Sequence, residues 1–454
     1  MLFGEATHLG RHAGWLWVPL LALIAAPFPF AGSPLPERAL PIFWLCLAGG
    51  LCLLARLAAV SWPAAALILW AFLRCVWNGL SIDPMSLRAN ALVMEAGRAR
   101  PLQLLVLLAF VALLYVAARE MPRRVILLVR RRPITLDPVR CAAWARAAGV
   151  AYEWVFGYLN LWGIYPWMTF VLPEQVGRPM GFLTHPNYWG SFMALGLPVV
   201  WSLGGFLPAL AIFAVIVVSF SAGPVIAATA GMALLAWPHL ARRWRYGLIA
   251  SASAVVTAVL TVHEWRLSGR WENWAAAWPE LMRYPVIGQG LGSWRIWADH
   301  FNTKLSMQTG KPEVFATLQA HSEPYQLWFE LGLIGLFLCA LWALQAVLAA
   351  WTAWSADEPA LTPRWWQPGF VSLDRAWVAV LVTGVVNGLG SPVFHLPGQA
   401  AIVIFALGRC QAIAAETLTH YRASEPIRTV RIRVASGRRP KPYSVHPQLE
   451  EIAR

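Results

Sequence analysis

A histidine, two arginines and a glutamate stand in the few polar stretches of an otherwise apolar chain. His321 opens HSEPYQLWFELGLIG, Arg270 lies in SGRWENW, and Arg178 lies in GRPMGFLTHPNYWG together with Gly181, His185, Pro186 and Asn187. Glu330 sits about two helical turns into the apolar run that follows His321. An imidazole titrates close to neutrality and can take a proton from a bound hydroxyl. Guanidinium groups grip phosphate oxygens in pairs and do not lose their own proton. An ionisable residue inside an apolar span is costly and marks a pathway, a partner or a site.

Each of these residues also has a plainer reading. Arg270 could be a solvated arginine at a helix start, His321 a surface histidine, and Arg178 a loop residue that orients a span. Glu330 could be hydrogen-bonded to a neighbouring helix, and Arg74, inside an apolar run, could snorkel or line a cavity. Gly288, Gly290 and Gly292 alternate in PVIGQGLGSW, a pattern that either turns the chain tightly or exposes amides to an anion. It is not a dinucleotide fingerprint, because no strand precedes it.

These groups need a helix to carry them. Trp271, Trp274, Trp278 and Leu281 recur at three- and four-residue spacing behind a possible cap at Ser268. This predicts an amphipathic helix on the outer surface, indoles down, ended by Pro285. Arg270 falls in its first turn, against the helix dipole, where a cation calls for a nearby anion or open water. Ser322 and Pro324 suit the start of the next helix.

The remainder of the chain reads as membrane. Hydrophobic residues make up 58%, charged residues 13%, and mean hydropathy is +0.55. The net charge of +14 lies in short segments between apolar runs, the pattern that orients a membrane protein and not a nucleic-acid surface. Runs long enough to span fall near 15–32, 39–60, 62–81, 101–118, 149–172, 188–205, 206–221, 223–240, 247–263, 324–352, 375–391 and 397–415. The predicted fold is an all-α polytopic membrane protein of about twelve transmembrane helices, with the first run kept as a span and not cleaved as a signal.

The arginines at 119, 123, 124, 130, 131, 132, 140 and 146, those at 242, 243 and 245, and the tail fall on one side with both termini, which makes that side cytoplasmic. Residues 82–100, 173–187, 264–323 and 392–396 then face outward. The domain reading is a single membrane domain over 1–421, its periplasmic loop at 264–323, and a basic tail over 422–454, disordered and close to anionic lipid. The six cysteines form no metal-ligand spacing, so neither a disulfide framework nor a zinc site is expected.

Taken in order, RPMGFLTHPN, then SGRWENW with GQGLGSW downstream, then HSEPYQLWFELGLIG resemble the motifs of the O-antigen ligase and polymerase superfamily. That superfamily includes lipopolysaccharide O-antigen ligases, bacterial polysaccharide polymerases and protein O-oligosaccharyltransferases. The similar stretch covers residues 178–335. The resemblance implies a GT-C-like membrane enzyme that transfers a glycan from undecaprenyl diphosphate to an acceptor hydroxyl. The transfer would be inverting, without metal or other cofactor, at the periplasmic face of the bacterial inner membrane.

Carried over residue by residue, Arg270 matches the loop arginine that contacts the donor diphosphate and His321 the histidine that opens the HS motif. Glu330 and Gly332 match its E-x-G continuation, and Arg178 and Asn187 the earlier R…G…PN motif. His185, Gly290, Trp271 and Arg74 complete the expected substrate-binding set. One stretch departs: where relatives carry an arginine after serine, this chain reads SFSAGPVIAA, with Ala222 and Gly223. Arg178 or Arg74 is then the candidate for the second diphosphate-binding charge. The expected partners are the lipid-linked glycan, an acceptor glycolipid (lipid A-core) or growing glycan, and membrane lipid, but no nucleic acid. A ligase is expected ahead of a polymerase, with protein glycosylation third. A lipid-linked sugar transporter would instead show paired charges at mid-membrane and repeat symmetry.

Overall fold

The computed structural model describes residues 62–81, 115, 118–119, 125–129, 132–164, 177–181, 185–262, 270–309, 319–356, 367–391, 393 and 397–424. The predicted spans at 15–32 and 39–60, most of that at 101–118, the outward segment 82–100, the cap at Ser268 and the tail beyond 424 lie outside these residues.

Helices dominate: α1 Trp62–Ser81, α2 Pro138–Leu161, α3 Pro186–Gly204, α4 Phe206–Val218, α5 Ala222–Ala236, α6 Arg242–Val262, α7 Arg270–Leu281, α8 Ser293–Thr309, α9 Glu323–Ala356, α10 Leu373–Gly388 and α11 Pro397–Ser424. The departure from the all-α expectation is a hairpin inside the basic segment, where β1 Val125–Val129 pairs antiparallel with β2 Arg132–Leu136. Glu323–Ser355 and Gln399–Thr417 are long and apolar enough to cross a membrane, and Trp62–Arg74 and Phe206–Val218 are shorter apolar helices. α11 runs on to Ser424, three residues into the stretch read as tail.

The crowded stretch from 188 to 240 divides at Gly205 and at the Ser219–Ser221 turn. α2 begins earlier than the run at 149, because Asp137 accepts the Arg140 amide at 3.0 Å and Pro138 suits the first turn. Its first turns therefore carry Arg146 into the core. Arg146 is thus part of a packed helix and not of an inter-span segment. The side chain is fully buried, its guanidinium lies 3.6 Å from the Phe192 ring centroid, and it donates to the Phe192 carbonyl. Glu153, seven residues on along the same face, is buried as well.

The core is the packing of α2, α3, α5, α10 and α11 around Trp189, Phe192, Trp377 and Phe405. A second, smaller core lies under α7 and α8, where Ala277, Leu281, Trp294, Phe301 and Phe329 meet. α7 is amphipathic, and Leu281 and the part-buried Trp274 of the predicted stripe pack on the second core. Asn273, Ala276, Ala277 and Leu281 turn inward, while Trp271 is 65% and Trp278 47% exposed. Helix α7 ends at Leu281, four residues before Pro285.

Candidate functional site

Helix α9 is not continuous. At Gly332 the backbone takes φ 71 and ψ −173, which interrupts the helical hydrogen bonds inside the apolar run. The freed groups find partners in the glycine turn. Gln289 and Gly290 donate to the carbonyls of Phe329 and Glu330 at 2.8 and 2.7 Å, and Leu333 and Ile334 donate to Pro285 and Val286 at 2.9 and 3.2 Å. A Cβ at Gly288 would overlap Gly332 and the Glu330 carbonyl, and one at Gly332 would overlap Val286. The two backbones can approach this closely only as glycine.

The exposed-amide reading of Gly288, Gly290 and Gly292 is thereby corrected. The Gly288 amide bonds to Tyr284, Gly290 to Glu330, and Gly292 to the Glu330 carboxylate at 2.8 Å, so none of these amides is left for an anion. Helix α1 clasps the same seam. Trp70 Nε1 donates to Leu331 at 2.8 Å, and Arg74, one turn on, donates to Gly288 at 2.6 Å. Arg74 is buried on the seam.

Glu330 is spent in the same way. It is 2% exposed, and its oxygens accept from Gly292 and from the Gln326 amide at 2.9 Å. Glu330 thereby fastens α8's start onto α9. Replacing Glu330 with alanine should cost about 1–3 kcal/mol, because two buried donors lose their acceptor. Thermal unfolding of the purified protein would measure this. Glu330→Gln, which keeps one acceptor oxygen, should lose less.

Gln326 relays the arrangement outward. Its Oε1 accepts the Ala320 amide at 3.0 Å, and the Ala320 carbonyl accepts Trp274 Nε1 at 2.7 Å. Tyr325 in turn donates to the Trp274 carbonyl at 2.7 Å. His321 is thus held between α7 and the start of α9, with φ 53. Trp274 follows Arg270 by four residues, about one helical turn. The opening turn of α7 and the histidine are accordingly neighbours. Trp271, an expected substrate contact, stands exposed with its ring 6.4 Å from that of Trp274.

A second seam gathers the earlier motif. The α4 helix ends at Val218, leaving carbonyls without helical partners at the negative end of its dipole. Arg178 fills that place: Nε and Nη2 donate to the Ser219 carbonyl at 3.0 and 2.8 Å, and Nη2 donates to Phe220 at 3.3 Å. Ala222, where relatives were expected to carry a cation, is two residues further on. Ser221 donates to Asn187 Oδ1 at 2.7 Å. His185 caps α3, its Nδ1 accepting the Asn187 amide at 3.2 Å. Asn160 on α2 accepts the amides of Met180 and Gly181 at 3.0 and 2.8 Å, a support that no motif announced.

Contacts join the two seams at one end of the helix bundle. Gly223, at the start of α5, faces Ser391 and Asn387 at the end of α10, and Gly388 there faces Glu323, two residues after His321. Gln399 of α11 donates to the Tyr188 carbonyl at 2.9 Å. Among the described residues the non-glycine residues with positive φ are Phe220 and His321, one in each seam. For bulky Phe220 that backbone is strained, and such strain collects where function demands a geometry. Among the described residues no three His, Cys, Asp or Glu side chains gather where a metal ion could sit.

No family model matches the chain, and no curated protein matches it. The functional reading therefore rests on this geometry and on the motifs.

Proposed function

We propose that the protein is a polytopic membrane glycosyltransferase of the O-antigen ligase and polymerase type. On this reading it has about twelve spans, both termini in the cytoplasm and its site at the periplasmic face of the bacterial inner membrane. The donor is a glycan on undecaprenyl diphosphate, and the acceptor is a hydroxyl of lipid A-core. His321 takes the acceptor proton, the oxygen attacks the anomeric carbon from the far face, and the bond to the lipid diphosphate breaks. Arg270 and Arg178 bear the charge that develops on the departing diphosphate. A fixed guanidinium is suited to this because it needs no proton transfer and no reorganisation at the moment of reaction.

The observation that carries the reading is the Trp274–Ala320 hydrogen bond at 2.7 Å, which joins the first turns of the helix that Arg270 opens to the residue before His321. The two motif residues lie 51 positions apart in sequence, and a pair of unrelated surface residues would have no reason to be so joined. The position of Arg178 on the turn before Ala222 supports it as the second cation.

The test is incubation of the purified, detergent-solubilised protein with undecaprenyl-diphosphate glycan, with and without lipid A-core. A core-linked product is expected. Elongation of the glycan without core would reassign the protein as a polymerase, and no transfer in either arm would defeat the proposal. EDTA should leave the rate unchanged, whereas loss restored by Mg²⁺ would contradict the metal-free mechanism.

A further inference from the structure

At the joined end of the bundle lies a side chain that the proposed mechanism does not use. Asn387, in the last turn of α10, is fully buried, yet among the described residues neither Nδ2 nor Oδ1 has a hydrogen-bond partner. A buried amide left unpaired costs on the order of 1–3 kcal/mol for each lost partner, so nearly all such groups are paired. The few exceptions call for an explanation.

Its neighbours are specific. Thr383 and Asn387, one turn apart on α10, face α5, and Ser391 just past the end of α10 lies beside them. α5 meets them with small residues: a Cβ at Gly231 would overlap Thr383 Oγ1, and one at Gly223 would lie 3.1 Å from Ser391 Oγ and 3.5 Å from Asn387 Oδ1. Thr383 is satisfied by the Ala379 carbonyl at 2.8 Å. Asn387, one turn nearer the bundle end, is not. Beside it, Gly388 lies against Glu323, and Gly223, which faces Asn387, follows shortly after the turn that holds Arg178.

The chemistry of an amide with both ends free selects its ligand. A diphosphate only accepts hydrogen bonds, so it could pair with Nδ2 and would leave Oδ1 orphaned; a cation would do the reverse. A hydroxyl donates and accepts, and adjacent hydroxyls on one ring satisfy both atoms together. We infer that Asn387 binds hydroxyl groups of the sugar next to the donor diphosphate and so selects a glycosylated lipid over the bare one. This rests on the glycosyltransferase reading. It adds a specificity-determining residue that the motifs do not contain.

The experiment compares the affinity of full-length detergent-solubilised protein for undecaprenyl diphosphate and for undecaprenyl-diphosphate-N-acetylglucosamine. Wild type should bind the sugar-bearing lipid about tenfold tighter or more, the scale expected when a site's buried polar groups depend on a substrate hydroxyl. Asn387→Leu should reduce that preference to below about twofold while affinity for bare undecaprenyl diphosphate is unchanged. Asn387→Asp, close in shape but lacking the donor, should reduce it too and serves if the leucine variant does not fold. A preference that persists in the variants, or is absent from wild type, overturns the inference and assigns the amide to ordered water. Failure of wild type to bind bare undecaprenyl diphosphate would instead sink the glycosyltransferase reading itself.

Discussion

Replacing His321 with alanine should lower the rate of glycan transfer by about 10²–10⁴-fold, the usual contribution of a positioned general base. The loss should fall on turnover and leave donor affinity near that of wild type, because in the proposed mechanism the imidazole acts on the acceptor. The backbone at 321 has φ 53, so any β-carbon-bearing substitute inherits some strain. His321→Asn is the sharper control for that reason: asparagine tolerates the left-handed region but cannot act as a base near neutrality. Equal loss in His321→Ala and His321→Asn would assign the effect to the imidazole. An active asparagine variant would show that residue 321 matters only for the turn before α9, and the base would have to be sought elsewhere.

The second large effect is expected at Arg178. Its guanidinium reaches the Ser219 carbonyl through two nitrogens and the Phe220 carbonyl through one, at the start of the turn that leads to Ala222. Arg178→Ala should reduce transfer by about 10²–10³-fold, as loss of one preorganised donor does at other charge-stabilising sites. Arg178→Lys should retain part of the rate, since it keeps the charge but loses the fork that caps the turn. The comparison separates two roles. If the lysine and alanine variants are equally slow and melt equally early, Arg178 only closes α4. If lysine melts early yet transfers faster than alanine, the charge itself assists the reaction. Full activity in Arg178→Ala would remove it from the mechanism.

Where sequence reasoning went astray, the cause was a property that no local pattern carries. The glycines of PVIGQGLGSW announced a close approach, but whether the partner was an anion or another backbone depended on the break in α9 at Gly332, 44 residues after Gly288. Arg146 read as one more basic-segment residue, and only the α2–α3 packing revealed it stacked on Phe192. A signal was available there: Glu153 is an acid in an apolar run, seven residues from that arginine and on the same helical face. Asn387 offered no such signal, because an asparagine near a helix end is ordinary until its surroundings are known.

Local order was legible in the residues themselves. Apolar runs marked most of the helices, Ser322 and Pro324 marked the start of α9, and the polar stretches that could do chemistry were few enough to name. These are near-neighbour effects, set by the preferences of a few consecutive residues and by how long an apolar run must be. What the tertiary structure alone decided was which polar groups are consumed in holding the fold. Glu330, Gly290 and His185 spend hydrogen bonds on the scaffold, whereas the Asn387 amide has no partner among the described residues. That division depends on contacts between residues tens to hundreds of positions apart, and it follows from the cost of leaving any buried donor or acceptor unpaired.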